Sequence, residues 1–363
     1  MSKQIFIRLG IFMGILCTSL VDQAQQAFIP REPSPAANVS QTVGISSISV
    51  TYSRPSVKGR EIWGKLVPYG WNVQGFGAGN SAPWRAGANE NTVLHLTHAA
   101  TVEGNPVPAG DYGLFFVINK DNTGEVILSK DYQAWGSFFY DPKRDQMRAK
   151  ITIRDVPVSI ERLTYAFDIV DRNTTELDLN WEKKQFPVKI SYAVDEIFLT
   201  NALELFKGQT GFTWQNYNAA ANYTLASKAN TDQGIKWADQ AILMNPNFTD
   251  MSTKAGLLDL AGNHSESEKI MKDAMAIATE NELNNYGYQL LGNQQFDKAI
   301  AALKANAERH PSSANCWDSL GEAYALAGDK QNAILNFKKS LSLNPPENVK
   351  ANSEKYLKQL GAM

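Results

Sequence analysis

Apolar residues recur at every second position through the first half of the chain. "ISSISVTYS" (Ile45–Ser53), "TVLHLTHAATV" (Thr92–Val102), "AKITIRDV" (149–156) and "LTYAFDIV" (163–170) alternate apolar with polar residues. "DYGLFFVIN" and "GEVILSKD" are short continuous apolar runs, and "TELDLNWEK" and "FPVKISYA" close the series. Successive side chains of a strand point to opposite faces, so this pattern predicts half-buried strands. Between the runs lie "EGNPVPAGD", "KDNTGE" and "DRNTTE", rich in residues that suit tight turns. Many short strands at this spacing predict an antiparallel β-sandwich, with a barrel as the other way to close the pattern.

After Val194 the period changes. "VDEIFLTNALELFK", "TDQGIKWADQAILMN" and "QQFDKAIAALKANAERH" place apolar residues at helical spacing, and Pro and Gly fall between the segments. The change near residue 192 divides the chain into a β domain over 28–192 and a helical domain over 193–363. The helical half repeats itself. Pro311 and Pro345 are 34 residues apart, as are Ala299 and Ala333, Leu303 and Phe337, and Gly287 and Gly321. A period of this length marks stacked helix pairs. Trp317, Leu320, Gly321, Tyr324, Ala333, Phe337 and Pro345 have the spacing of a tetratricopeptide repeat, so residues 212–346 resemble a tetratricopeptide array. Small residues at 321 and 333 suit a close approach of two helices, and Pro345 stops the second. The match fades upstream, where Leu283 replaces the Trp. We expect about four helix pairs and a polar closing helix near 347–360, forming an α-solenoid.

Composition adds the compartment. The chain has 363 residues, 43% of them apolar, and a net charge of −2, which gives no reason to expect nucleic acid as a partner. Lys3 and Arg8 precede the apolar run Leu9–Val21, which is followed by polar "DQAQQA". The run is too short for a membrane span of about 20 residues and reads as a secretory signal over residues 1–27, cut near Ala24 or Ala27. Leu16 stands where lipid attachment at Cys17 would need a small residue. Export to the periplasm or beyond is the expectation, with no span in the mature chain. Cys316 is then the sole remaining thiol, read as a small buried residue with no disulfide partner.

Candidate chemistry gathers in "YSRPSVKGREIWG" (Tyr52–Gly64), where Arg54, Lys58 and Arg60 follow a strand. A second loop carries Trp84, Arg85, Asn89 and Glu90. These stretches, with "VPAGDYGLFFV", resemble an exported bacterial family, domain of unknown function 2911, over residues 36–192. The family's members often continue into tetratricopeptide repeats. Its activity is not established, so the resemblance carries over no catalytic residue. "WNVQGFGAGNSAP" (Trp71–Pro83) is an insertion relative to the family's short form. Read directly, the cations around Trp84 suit a carboxylate, phosphate or acidic sugar, since guanidinium forks bind such groups in pairs of bonds. The plainer expectation is that Arg–Glu pairs only tie the two loops together.

Other polar residues offer less. His95 and His98 face opposite sides of a strand, and no ligand spacing supports a metal. "GFGAGN" lacks the Lys-Ser/Thr ending of a phosphate loop, and "YDPKRDQMR" reads as a charged turn. No cofactor is implied. The reading is an exported binding or scaffold protein. Its β domain holds a small anionic ligand, and its repeats bind a protein or peptide on the face carrying Trp214, Tyr217, Asn218, Asn285 and Tyr288. The alternative is an envelope hydrolase using Glu90 beside Arg54, Arg60 and Arg85. A third is a scaffold with no pocket.

Overall fold

A computed structural model describes residues 33–363 of the chain, and the leader expected at residues 1–27 lies outside the described residues. The strands run in chain order as β1 (Ala36–Val43), β2 (Ser46–Ser53), β3 (Asn72–Val73), β4 (Ser81–Ala82), β5 (Val93–Leu96) and β6 (Ala100–Val102). They continue as β7 (Asn105–Val107), β8 (Gly110–Ile118), β9 (Thr123–Ser129), β10 (Asp145–Thr152), β11 (Arg154–Ile169) and β12 (Thr174–Ser191). Six of them form one sheet in the order β1-β2-β5-β8-β9-β10, four form a second in the order β11-β12-β6-β7, and β3 and β4 make a separate hairpin.

The register follows the alternation. Ile48 pairs with Leu96 and Val50 with Leu94, so the apolar positions of β2 and β5 share one face, and all four are buried. Leu177, Leu179 and Trp181 supply the matching face of β12 and are also buried. Phe116 of β8 meets Phe186 of β12 edge to face at 5.3 Å, and Tyr52 meets Tyr165 at 4.7 Å, which joins the two sheets across one core. The sandwich predicted from the pattern is present.

Its strand boundaries differ from the pattern in two places. "TVLHLTHAATV" is two strands, because the chain leaves the first sheet after β5 and enters the second at β6. "TELDLNWEK" and "FPVKISYA" are one strand, β12, with Glu182 at φ 52° opposite a register shift in β11. A bulge of this kind bends a long strand without ending it.

The helical part holds α1 (Val194–Leu205), α2 (Trp214–Ser227), α3 (Thr231–Met244), α4 (Phe248–Leu260) and α5 (His264–Ile277). It continues with α6 (Glu280–Gly292), α7 (Phe296–Arg309), α8 (Ala314–Leu326), α9 (Lys330–Ser342) and α10 (Glu347–Gln359). The pairs α2/α3, α4/α5, α6/α7 and α8/α9 pack closely, and α10 closes the series on α8 and α9. A Cβ added to Gly287 would lie 2.4 Å from Leu303, and one on Gly321 would lie 2.9 Å from the Phe337 ring. These two glycines therefore let α6 approach α7 and α8 approach α9. Cys316 is buried in this core as a free thiol, and burial pushes its pKa up to about 11. By contact the chain forms two units, one of residues 48–169 and 175–190 with the strand before residue 42, the other of 42–47, 170–174 and 191–363.

Candidate functional site

Pro55 ends the pairing of β2, and the chain turns back on itself through Lys58, which sits in the left-handed region at φ 48°. Arg60 holds this turn closed. Its Nε donates to the Val57 carbonyl at 3.1 Å, and its Nη2 donates to the Ser56 carbonyl. The Lys58 amide donates to Glu161 Oε1 at 3.0 Å. Arg54 works elsewhere: its Nε donates to the Leu163 carbonyl at 3.0 Å and its Nη2 to Thr164 Oγ1 at 2.7 Å. The Arg54 and Arg60 guanidinium groups thus bond backbone carbonyls and a hydroxyl, not the carboxylates expected of loop-tying ion pairs.

The second loop is anchored at Trp84, whose amide and carbonyl bond those of Phe116 at 2.8 and 2.9 Å. Arg85 Nη1 donates to the Asn89 carbonyl at 2.6 Å, and the guanidinium lies 5.1 Å from the Phe138 ring centroid. A Cβ on Gly136 would fall 2.2 Å from Arg85 Cζ, so a glycine there makes room for the side chain. Burial lowers the Arg85 pKa, but a guanidinium stays protonated through such a shift. Asn89 takes φ 62° and turns its Nδ2 towards the Ser34 carbonyl and Ser53 Oγ, both at 3.4 Å.

These loops enclose a cleft of about 840 Å³ within the β unit. Lys58, Arg60, Lys65 and Arg85 line it with Trp84 and Trp181, and no Asp or Glu lines it among the described residues. Trp84 and Trp181 stack at 5.9 Å and 15°, with Trp63 set edgewise against both. Trp63 Nε1 donates to Glu182 Oε2 at 3.1 Å. Trp181 is only 1% exposed, and its Nε1 has no hydrogen-bond partner among the described residues. A buried N–H without an acceptor carries a desolvation cost that a bound acceptor would remove.

The structure therefore gathers Lys58, Arg60, Trp84, Arg85 and Asn89 at one cleft and leaves out two of the expected residues. Arg54 is turned to β11, and Glu90 is exposed and does not line the cleft. The hydrolase alternative needs Glu90 shielded among these cations, and this placement does not provide it. Several lining residues were missed in the sequence, Lys65 and Trp181 among them. Lys65 lies in a turn with no pattern to mark it. Trp181 sits at a core position of a strand, where an aromatic residue reads as packing alone.

The helical candidates also divide. Tyr217 packs on Phe206 at 4.4 Å beside Trp237 in the core, and Asn218 is buried and accepts from Asn222 Nδ2 at 3.3 Å. Tyr217 ties α2 to the end of α1, and Asn218 is buried with a bond inside α2, so neither presents a surface. Trp214 begins α2 half-buried, and Asn285 is exposed on α6. Tyr288 donates to Glu322 Oε2 at 3.1 Å across to α8. Tyr356 of α10 donates to Glu322 Oε1 at 3.0 Å, and Asn352 donates to Asp318 Oδ2 at 2.8 Å. Each of these three bonds spans 34 residues, so equivalent positions of successive units are joined directly.

His95 pairs with Asp111 and His264 with Asp259, and no group of three His, Cys, Asp or Glu residues is placed to hold a metal ion among the described residues. No helix among the described residues is long and apolar enough to cross a membrane.

Residues 34–190 match the family described as "Protein of unknown function (DUF2911)". A stretch of 51 residues is 43% identical to superkiller complex protein 3 of Mus musculus, covering 14% of this chain and 3% of that protein. A stretch of the same length is 39% identical to tetratricopeptide repeat protein 37 of Xenopus laevis, with the same shares. The chain thus spans a small fraction of the length of these curated relatives. Among solved structures, YrrB, "a TPR protein with an unusual peptide-binding site", is 15% identical, with a TM-score of 0.26, covering 40% of this chain and 76% of that one. PilF of Pseudomonas aeruginosa is 20% identical, with a TM-score of 0.26, covering 40% and 68%.

Proposed function

From a DUF2911 domain followed by tetratricopeptide-like repeats, we infer an exported two-part binding protein. The repeats are a scaffold for contact with a protein or peptide. The β domain takes a small anionic ligand in the cleft between its two cationic loops. The observation that carries this reading is the charge of the cleft: among the described residues, four cationic side chains line it and no carboxylate does. A low-dielectric wall strengthens such an unbalanced field, and an anion is the natural complement. Export rests on the basic residues and short apolar run at the N-terminus.

The test is a thermal-shift titration of the full-length protein with citrate, pyrophosphate and inorganic phosphate at low ionic strength. The expected result is a dose-dependent rise in Tm for at least one anion. The rise should shrink as salt is added and disappear in a Lys58→Ala/Lys65→Ala double variant. No shift with any anion, or a shift unchanged in that variant, would overturn the reading. Export is checked separately by the mass of the chain recovered from the producing cells, which should begin near residue 25 or 28.

A further inference from the structure

Resting on the anionic-cleft reading, we propose that the ligand is an acidic oligosaccharide, a run of sugar rings bearing carboxylates. Three features of the cleft favour sugar rings over a bare anion.

The first is the indole pair. Trp84 and Trp181 lie nearly parallel, and both line the cleft. Trp84 keeps partial exposure while Trp181 is buried. An indole offers a flat apolar face, which a small inorganic anion cannot use and the C–H face of a pyranose can. The second is the neutral rim. Asn72, Gln74, Asn89 and Ser137 line the same space, with Gln74 Nε2 donating to Ser137 Oγ at 2.7 Å. Amides and hydroxyls that both donate and accept suit a ligand rich in hydroxyl groups. Trp181 is a lining residue whose buried Nε1–H has no partner among the described residues. The third is size. About 840 Å³ lies near the upper end of small-molecule sites, well beyond one carboxylate or phosphate.

The cations then read the acid group. Arg85 spends one donor on the Asn89 carbonyl, which leaves other N–H groups of its fork for a carboxylate. Lys58 and Lys65 add point charges that tolerate some variation in the position of that group. A helix N-terminus, one common cradle for phosphate, is not among the described residues lining this cleft.

The experiment is isothermal titration of the full-length protein with trigalacturonic acid, maltotriose, triglutamate and pyrophosphate, with indole emission followed in parallel. Trigalacturonic acid should bind at least tenfold more tightly than the other three and change the emission. Gln74→Ala and Lys65→Ala, two rim substitutions, should each weaken it severalfold, and Trp84→Ala by about tenfold or more. If Trp84→Ala does not fold, the two rim variants carry the test. Maltotriose binding equally well would overturn the proposal, because charge would then play no part. Triglutamate or pyrophosphate binding as well as the acidic sugar, lost in Lys65→Ala, would overturn the proposal and leave the anionic cleft standing. No binding by any charged probe would overturn both.

Discussion

Arg54, Arg60 and Lys65 stand within a dozen residues of one another and do three different things. Arg54 fastens the exit of β2 to β11, Arg60 closes a turn, and Lys65 lines the cleft. Removing Arg54 strands the acceptors it serves. Arg54→Ala should therefore destabilise the β unit by on the order of 1–3 kcal/mol and leave anion affinity nearly unchanged. Lys65→Ala should do the reverse, with stability within about 0.5 kcal/mol of the parent and weaker anion binding. Urea unfolding followed by indole emission, run beside the titration, separates the two. Equal stability losses would refute this division of roles. The sequence made the cations visible but not their partners, since those of Arg54, Arg60 and Arg85 are mainly backbone carbonyls, which every residue carries. A second residue-scale prediction concerns Asp250, which is fully buried, with Oδ2 accepting from Asn247 at 2.8 Å and Oδ1 without a partner among the described residues. Burial pushes its pKa up to about 6 from an ordinary 3.8. The folded state then binds the proton more tightly than the unfolded state, so stability falls as pH rises from about 4 to about 6, and the full cost is present at pH 7. Asp250→Asn should stabilise the helical unit by on the order of 1–3 kcal/mol at pH 7 and by little at pH 4. Urea melts at the two pH values check this, and an equal gain at both would exclude the mechanism.

At the scale of the element, close approach decides more than surface chemistry. Gly321→Ala drives a methyl group into the Phe337 ring, and Gly287→Ala drives one into Leu303. Each should cost about 1–3 kcal/mol, measured by helix signal on denaturation, because a packed core resists an added methylene. The 34-residue spacing of these glycines was legible because the same packing problem recurs in the α6/α7 and α8/α9 pairs. The bonds from Tyr288 and Tyr356 to Glu322 were not legible, since a tyrosine on an inner helix face suits a partner as well as a neighbouring helix. Tyr288→Phe should lower array stability by about 0.5–1.5 kcal/mol without altering helix content. A stability unchanged on loss of the hydroxyl would return Tyr288 to the list of free contact residues. Among the strands, the alternation of β2 and β5 foretold their buried faces. The hairpin of β3 and β4 had no such signal, because strands of two residues are too short to show a period. That hairpin lies in the stretch Trp71–Pro83 and supplies Asn72, Gln74 and Ala82 to the cleft.

Across the whole molecule, the change from period two to helical spacing near residue 192 was the strongest signal in the chain, and the described α-helices begin at Val194. Less visible was that two turns, residues 42–47 and 170–174, group by contact with the helical unit. Arg172, in the second turn, donates to Asp195 of α1 and, at 2.7 Å, to Tyr223 of α2. A fragment starting at residue 193 would lack that arginine, and its melting temperature should fall below that of the same unit in the full chain, as calorimetry can show. The rungs that join Tyr288, Glu322 and Tyr356 have a consequence for ancestry. Each rung links positions one full repeat apart. An insertion or deletion within a helix between two joined positions would change their spacing and break the rung that spans it, whereas copying a complete unit preserves the spacing of every rung. Descendants of this gene can therefore acquire a longer array by duplicating whole units, and gain little from growing it one codon at a time.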